Sequence, residues 1–315
     1  MIWLTWRQHR LEGLVTALVV VVVVGLVGAL VLAMQPLLEQ IRNACSSQGD
    51  ACLLTVQSWD KQFATVHRFG EFALIALPLL PGLFIGAPLL ARELEQGTHQ
   101  LVWTQGISRQ RWFSVKLGIL GLAVLLLAGV LAVAGQEWSA ARPTMSASKW
   151  HYFDVQGPEY VSYALFSLAL GVSLGAVIGR TVPAMAAVMV GYVGARLAIA
   201  VLARPNFMPP LDWDFKHTSY ASLGDIWILG SQRHTDLQGN PISDERFGQA
   251  MNSCVRLVND PGPLGMCLND HGVQVLQAYQ PEYRFLLFQG IETAIFVIAA
   301  IALLLVSVWL VRRRA

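Results

Sequence analysis

Six apolar runs, roughly 14–34, 72–91, 117–135, 161–179, 183–203 and 286–311, constrain this chain more than any motif. Each has the ~20 residues that a helix needs to cross a hydrocarbon core of ~30 Å. Inside a bilayer only helices and closed barrels satisfy their own backbone polar groups, and runs this long are not barrel strands. The chain therefore reads as an all-α polytopic membrane protein with six transmembrane helices. Composition agrees, with 55% hydrophobic residues, 13% charged residues and a mean hydropathy of +0.51.

Charge between the runs sets an orientation. With both termini in the cytoplasm, the inside segments 1–13, 92–116, 180–182 and 312–315 hold ten cations and three acids in 45 residues. The outside segments 35–71, 136–160 and 204–285 hold eleven cations and sixteen acids in 144 residues. Cations are thus about threefold denser inside, as the positive-inside rule requires. They lie next to membrane entry points, which matches lipid headgroups and gives no support to nucleic-acid binding. The expected location is the plasma membrane.

All four cysteines fall outside on this map, on the oxidising side where disulfides persist. Of the three connectivities open to four cysteines, local pairing of Cys45 with Cys52 and Cys254 with Cys267 closes the shortest loops. Four unpaired small residues are the alternative. No C-x-x-C spacing suggests zinc, and His217, His234 and His271 lack regular ligand spacing.

The first run is too long for a signal-peptide core, and no A-x-A site follows Met34, so it reads as retained. Before it, IWLTWRQHRLE (2–12) spaces Ile2, Trp3, Trp6 and Arg10 helically, as in an N-terminal interfacial helix at the headgroups. A simple extension of the first span is equally open. The second run carries Pro78, Pro81 and Pro88, which predict a kinked or broken span whose freed backbone groups need a neighbour.

The fourth run spaces Gly171, Gly175 and Gly179 one turn apart, as close helix packing requires. Its G-x-S-x-G around Ser173 lies within an apolar helix, without the strand-to-helix turn that a nucleophile needs. Arg196 and Glu292 sit inside the fifth and sixth runs, each ~10 Å below the outer surface at ~1.5 Å per residue. A charge at that depth takes a partner, and the two are read as an intramembrane ion pair, with a role in substrate recognition as the alternative. Segment 204–285 is a long extracellular loop or small cap before the last span, in which Ser243 caps a short helix.

Segment 92–116, RELEQGTHQLVWTQGISRQRWFSVK, is the largest inside segment. Gly97-Thr98 ends one helix and Thr98 caps the next. His99–Gln105, with Leu101, Val102 and Trp103, makes about two turns before Gly106 stops it in the left-handed conformation. Ser108 then caps a helix through Arg109 into the third span. A short crosswise helix held between two spans suits docking by a partner; a structural connector is the alternative.

Glu93, Gly97-Thr98 and TQGISRQRWFSVK (104–116) resemble the loop of ABC exporter permeases of the type-two class. The stretches YFDVQGPEYVSYALFSLALGVSLGAVIGRTVPAM (152–185) and YQPEYRFLLFQGIE (279–292) resemble a permease group common in actinobacteria. The likeness extends over nearly the whole chain, as a single permease domain 1–315. It implies a coupling helix at 92–116 docking on a separate ATPase subunit, with Glu93, Gly97, Thr98 and Arg109 shaping the loop and His99–Gln105 in contact. It further implies a second permease copy, identical or not, and ATP with Mg bound by the partner. The 82-residue last outer loop is longer than in many relatives and leaves the substrate open.

Independently, the chain lacks the phosphate-cradling G-x-x-x-x-G-K-[ST] loop, and none of its lysines follows a glycine. It is expected to be a non-enzymatic permease subunit of an ATP-driven exporter. An intramembrane enzyme would need a catalytic dyad, and Ser173 has no intramembrane base. A secondary transporter would rest on one Arg–Glu pair, with no evident inverted repeat.

Overall fold

A computed structural model describes residues 2–46, 50–95, 109–143, 148–214, 224–255 and 261–313. Six helices in it are long and apolar enough to cross a membrane: Leu18–Cys45, Ala51–Glu95, Phe113–Ala140, Pro158–Ile178, Thr181–Asn206 and Glu282–Leu310. The protein is a mostly helical, six-span membrane protein.

Helix α1 runs without a break over Ile2–Cys45, so the backbone of the amphipathic start belongs to the same helix as the first span. The second span is composite. It comprises α2 (Asp50–Ala76), a 3-10 turn (Leu77–Leu79), a π-helical turn (Pro81–Gly86) and α3 (Ala87–Glu95). Then follow α4 (Arg109–Ala140), a 3-10 turn (Phe153–Val155), α5 (Pro158–Ile178) and α6 (Thr181–Ala198). After β1 (Leu211–Asp214) and β2 (Ile226–Thr235) come α7 (Asp244–Cys254), α8 (Pro261–Asp270), β3 (Gln274–Pro281) and α9 (Phe285–Arg313).

The helices overrun the apolar runs. Residues 35–71, which hydropathy reads as a loop, are largely helical. The reason is a hidden apolar stripe, in which Val27, Val31, Met34, Leu38 and Ile41 recur every three or four residues and are buried together. Trp59, Leu74, Trp138 and Tyr152 complete this core. Gly70 is required there, because a Cβ would stand 2.2 Å from the Trp138 ring.

Helix α5 is the hub of the spans, and it repairs the break that proline makes in the second. Pro78 has no N–H, so the Leu74 carbonyl loses its helical donor; the buried Tyr160 hydroxyl of α5 donates to it at 3.0 Å. One face further along, the Ser167 hydroxyl donates to the Leu79 carbonyl and accepts from the Gly82 N–H, each at 2.9 Å. The irregular backbone is thereby covered by protein rather than lipid, the condition under which a membrane tolerates it.

Small residues permit this approach. A Cβ on Gly171 would stand 2.3 Å from the Gly82 carbonyl oxygen, and one on Gly175 would stand 2.5 Å from that of Ala87. Ala87 and Ala91 of α3 seal against Ala184 and Val188 of α6.

Ser148–His151 and Ala200–Phe288 form a second compact unit. Its antiparallel sheet has the order β1-β3-β2, with Leu211 opposite Tyr279 and Ile226 opposite Pro281, and a bulge between Ile228 and Gln232. This sheet is absent from an all-α reading of the sequence. Ser243 caps α7 by accepting from the Arg246 N–H. Ala250, Cys254, Leu264, Leu268, Val273 and Val275 make its core, and Trp150 packs on Trp227, Phe285 and Phe288.

Candidate functional site

Charged side chains within the spans gather where α5, α6 and α9 meet. On α5, Glu159 and Tyr163 lie one turn apart; on α9, so do Gln289 and Glu292. The two faces are joined by successive rungs. The Gln289 amide donates to Glu159 Oε1 at 2.7 Å, and Tyr163 Oη donates to Glu292 Oε1 at 2.7 Å. Both carboxyl groups are fully buried.

Arg196 enters from α6. Its Nη2 lies 3.1 Å from Asp154 Oδ1 and its Nη1 3.5 Å from Glu292 Oε1, the latter an ion contact longer than a hydrogen bond. The guanidinium carbon rests 3.4 Å from the centre of the Tyr163 ring, a cation–π geometry. Two carboxyl groups, of Asp154 and Glu292, thus share one guanidinium. Among the described residues, Glu159 Oε2 and the buried Tyr192 hydroxyl have no hydrogen-bond partner. Gly157, at φ 87°, brings the chain into α5, and any Cβ there would stand 2.6 Å from the Gln289 amide.

Arg196 and Glu292 are the intramembrane charges that hydropathy singles out. Asp154, Glu159, Tyr163 and Gln289 are not. Asp154 and Glu159 fall in a segment of ordinary polarity, and a tyrosine in an apolar run gives no polar signal. The spacing of Glu159 and Tyr163, matched by Gln289 and Glu292, is the one pattern that could have revealed them.

At the opposite end of the second span, Glu93 accepts a hydrogen bond from Lys116 of α4 at 2.9 Å, with both side chains largely buried. This pair ties together the two helices that flank segment 96–108. Two residues on, Glu95 Oε2 accepts from the Thr181 N–H at 3.1 Å and its hydroxyl at 3.0 Å, capping α6. Gly97, Thr98, His99, Leu101, Val102 and Trp103 lie outside the described residues. Arg109 is the first residue of α4, and only its backbone is described.

Ser173, of the G-x-S-x-G match, donates to the Leu303 carbonyl at 2.7 Å and contacts the Ser307 hydroxyl at 2.8 Å. It is a packing hydroxyl between α5 and α9. Cys45 is bonded to Cys52, and Cys254 to Cys267. Among the described residues, Cys254, Cys267 and His271 are close enough to share a metal ion, but the disulfide consumes both thiolates.

No curated protein and no solved structure matches this chain. A family model does, described as ABC-2 membrane transporter related, over residues 15–204. That stretch is more than half of the chain and includes the first four spans, nearly all of the fifth, the Glu93–Lys116 pair and Arg196. With six apolar helices, this makes the protein an ABC-transporter permease of the membrane, and the chain belongs to the ABC-2 membrane transporter related family.

Proposed function

We propose that this chain is the membrane subunit of an ATP-driven exporter of the plasma membrane, with both termini in the cytoplasm and a separate ATPase subunit supplying the energy. The family match carries this reading. The missing phosphate-cradling loop agrees with it, because a permease of this kind needs no nucleotide site of its own. Two permease copies, identical or not, act with two ATPase subunits.

Segment 92–116 is the coupling element. Glu93 with Lys116, and Glu95 with Thr181, fasten its base to α4 and α6. A push on residues 99–105 is then felt by three helices at once, and rigid movement of packed spans is the ordinary route to alternating access. Arg196 sits near the far end of α6, bridging to Asp154 and Glu292. It is placed to register that movement.

The test is ATP hydrolysis by a candidate ATPase subunit, with and without the permease in lipid nanodiscs. Hydrolysis that changes severalfold with the permease, and reverts with Leu101→Asp/Val102→Asp, supports coupling. A rate indifferent to the permease refutes it.

A further inference from the structure

We propose that reduction of the Cys254–Cys267 disulfide turns the adjoining ends of α7 and α8 into a zinc site, with His271 as the third ligand. Cys254 is the last residue of α7, and Cys267 lies one turn before the end of α8. The two sulfurs and a ring nitrogen of His271 all lie within 4.8 Å of one another. Two thiolates and an imidazole are a donor set that suits Zn2+, with a fourth position left open to solvent. His271 is exposed and Cys267 partly so, which gives both an ion and a reductant access from water.

His271 stands there because of the way α8 ends. Gly272, at φ 74°, stops the helix in the left-handed region. Its N–H donates to the Asn269 carbonyl at 2.9 Å and the Val273 N–H to that of Leu268 at 3.0 Å, which fixes His271 one turn beyond Cys267. Leu264, Leu268, Val273 and Val275 pack with Ala250 and Cys254, so an apolar core holds the two helices together besides the disulfide. The Cα atoms of the two cysteines are 5.9 Å apart, close enough for both sulfurs to reach one ion at ~2.3 Å.

His271 Nδ1 donates to the Cys267 carbonyl at 2.9 Å and lies 4.0 Å from Cys254 Sγ. A dithiol reductant that attacks Cys267 Sγ breaks the S–S bond, and the electron pair leaves on Cys254 Sγ beside this N–H. Completing the exchange leaves two thiols here and a disulfide in the reductant. Zn2+ then displaces both thiol protons to water, and the imidazole proton passes from Nδ1 to Nε2 as Nδ1 takes the metal.

The test is zinc bound by the full chain in nanodiscs, either oxidised or reduced with a phosphine and then freed of reductant under argon. Zinc is counted after dialysis against Zn2+, and Co2+ serves as a second probe because thiolate ligands give it charge-transfer absorption. The reduced chain is expected to gain about one tightly held Zn2+ that the oxidised chain lacks. Cys254→Ser/Cys267→Ser is expected to remove that ion, which discounts any metal on the reduced Cys45 and Cys52. His271→Ala, at an exposed position, is expected to weaken binding by about tenfold or more and to leave the thermal midpoint of the oxidised chain unchanged. Reoxidation is expected to expel the ion. A reduced chain that holds no more zinc than the oxidised one, folded or not, overturns the proposal. So does zinc binding unmoved by His271→Ala or by the loss of Cys254 and Cys267.

Discussion

The Tyr160 hydroxyl donates to the Leu74 carbonyl at 3.0 Å, the carbonyl that Pro78 leaves without a helical donor. A side chain of one span thus completes the backbone of another at the point where proline breaks it. Tyr160→Phe keeps the packing and removes the donor. We expect its unfolding midpoint in detergent, followed by tryptophan fluorescence, to correspond to a loss of about 1–2 kcal/mol. An unchanged midpoint would mean that the carbonyl is satisfied otherwise.

Close approach of α5 to the second span depends on Gly171, where a Cβ would meet the Gly82 carbonyl oxygen at 2.3 Å. Gly171→Ala is expected to cost about 1–3 kcal/mol through backbone displacement. Gly129 of α4 has nothing within 4 Å of its would-be Cβ, so Gly129→Ala is expected to be neutral or slightly stabilising. Thermal midpoints of the two variants, measured side by side, check the contrast.

Arg196 and Glu292 are in contact at 3.5 Å across α6 and α9. Removing either one leaves the other buried with less compensation. Arg196→Gln and Glu292→Gln are each expected to destabilise, and the double variant by less than their sum, with a coupling of about 1 kcal/mol or more. Strict additivity in a thermal-unfolding cycle would contradict the pair. Because Asp154 also holds Arg196, at 3.1 Å, Glu292→Gln is expected to be the better tolerated single change.

In the second unit, hydrogen bonds from Asn240 and Gln238 to the Asp236 carboxylate hold its pKa below the ordinary 3.8. A depressed folded value means that the ionised form stabilises the turn. That contribution is present above pH 3.8 and is lost as pH falls through the lower, folded value. Amide protection of Gln238 and Asn240 is expected to drop on acidification, and Asp236→Ala is expected to remove the dependence.

Hydropathy finds the six spans because twenty apolar residues have few other uses. It misses the helical continuation over 35–71, because Leu38 and Ile41 are spaced among charged neighbours and no window average registers them. The sheet escapes for another reason. Leu211 pairs with Tyr279 across 68 residues of sequence, and strand formation that depends on so distant a partner leaves little local signal. At the polar cluster, the sequence points Arg196 at Glu292 because an intramembrane charge needs a partner. Nothing local marks Asp154, which lies nearer still. Partners supplied by turns are settled by the fold, not by hydropathy.

The most direct test of a permease worked by a separate ATPase is co-purification. The tagged chain is isolated from cells that also express a candidate ATPase subunit, and wild type is compared with Leu101→Asp/Val102→Asp. We predict that wild type retains the ATPase and that the variant loses it while keeping the wild-type unfolding midpoint. A wild-type chain that never retains an ATPase, or a folded variant that retains it fully, would contradict the account.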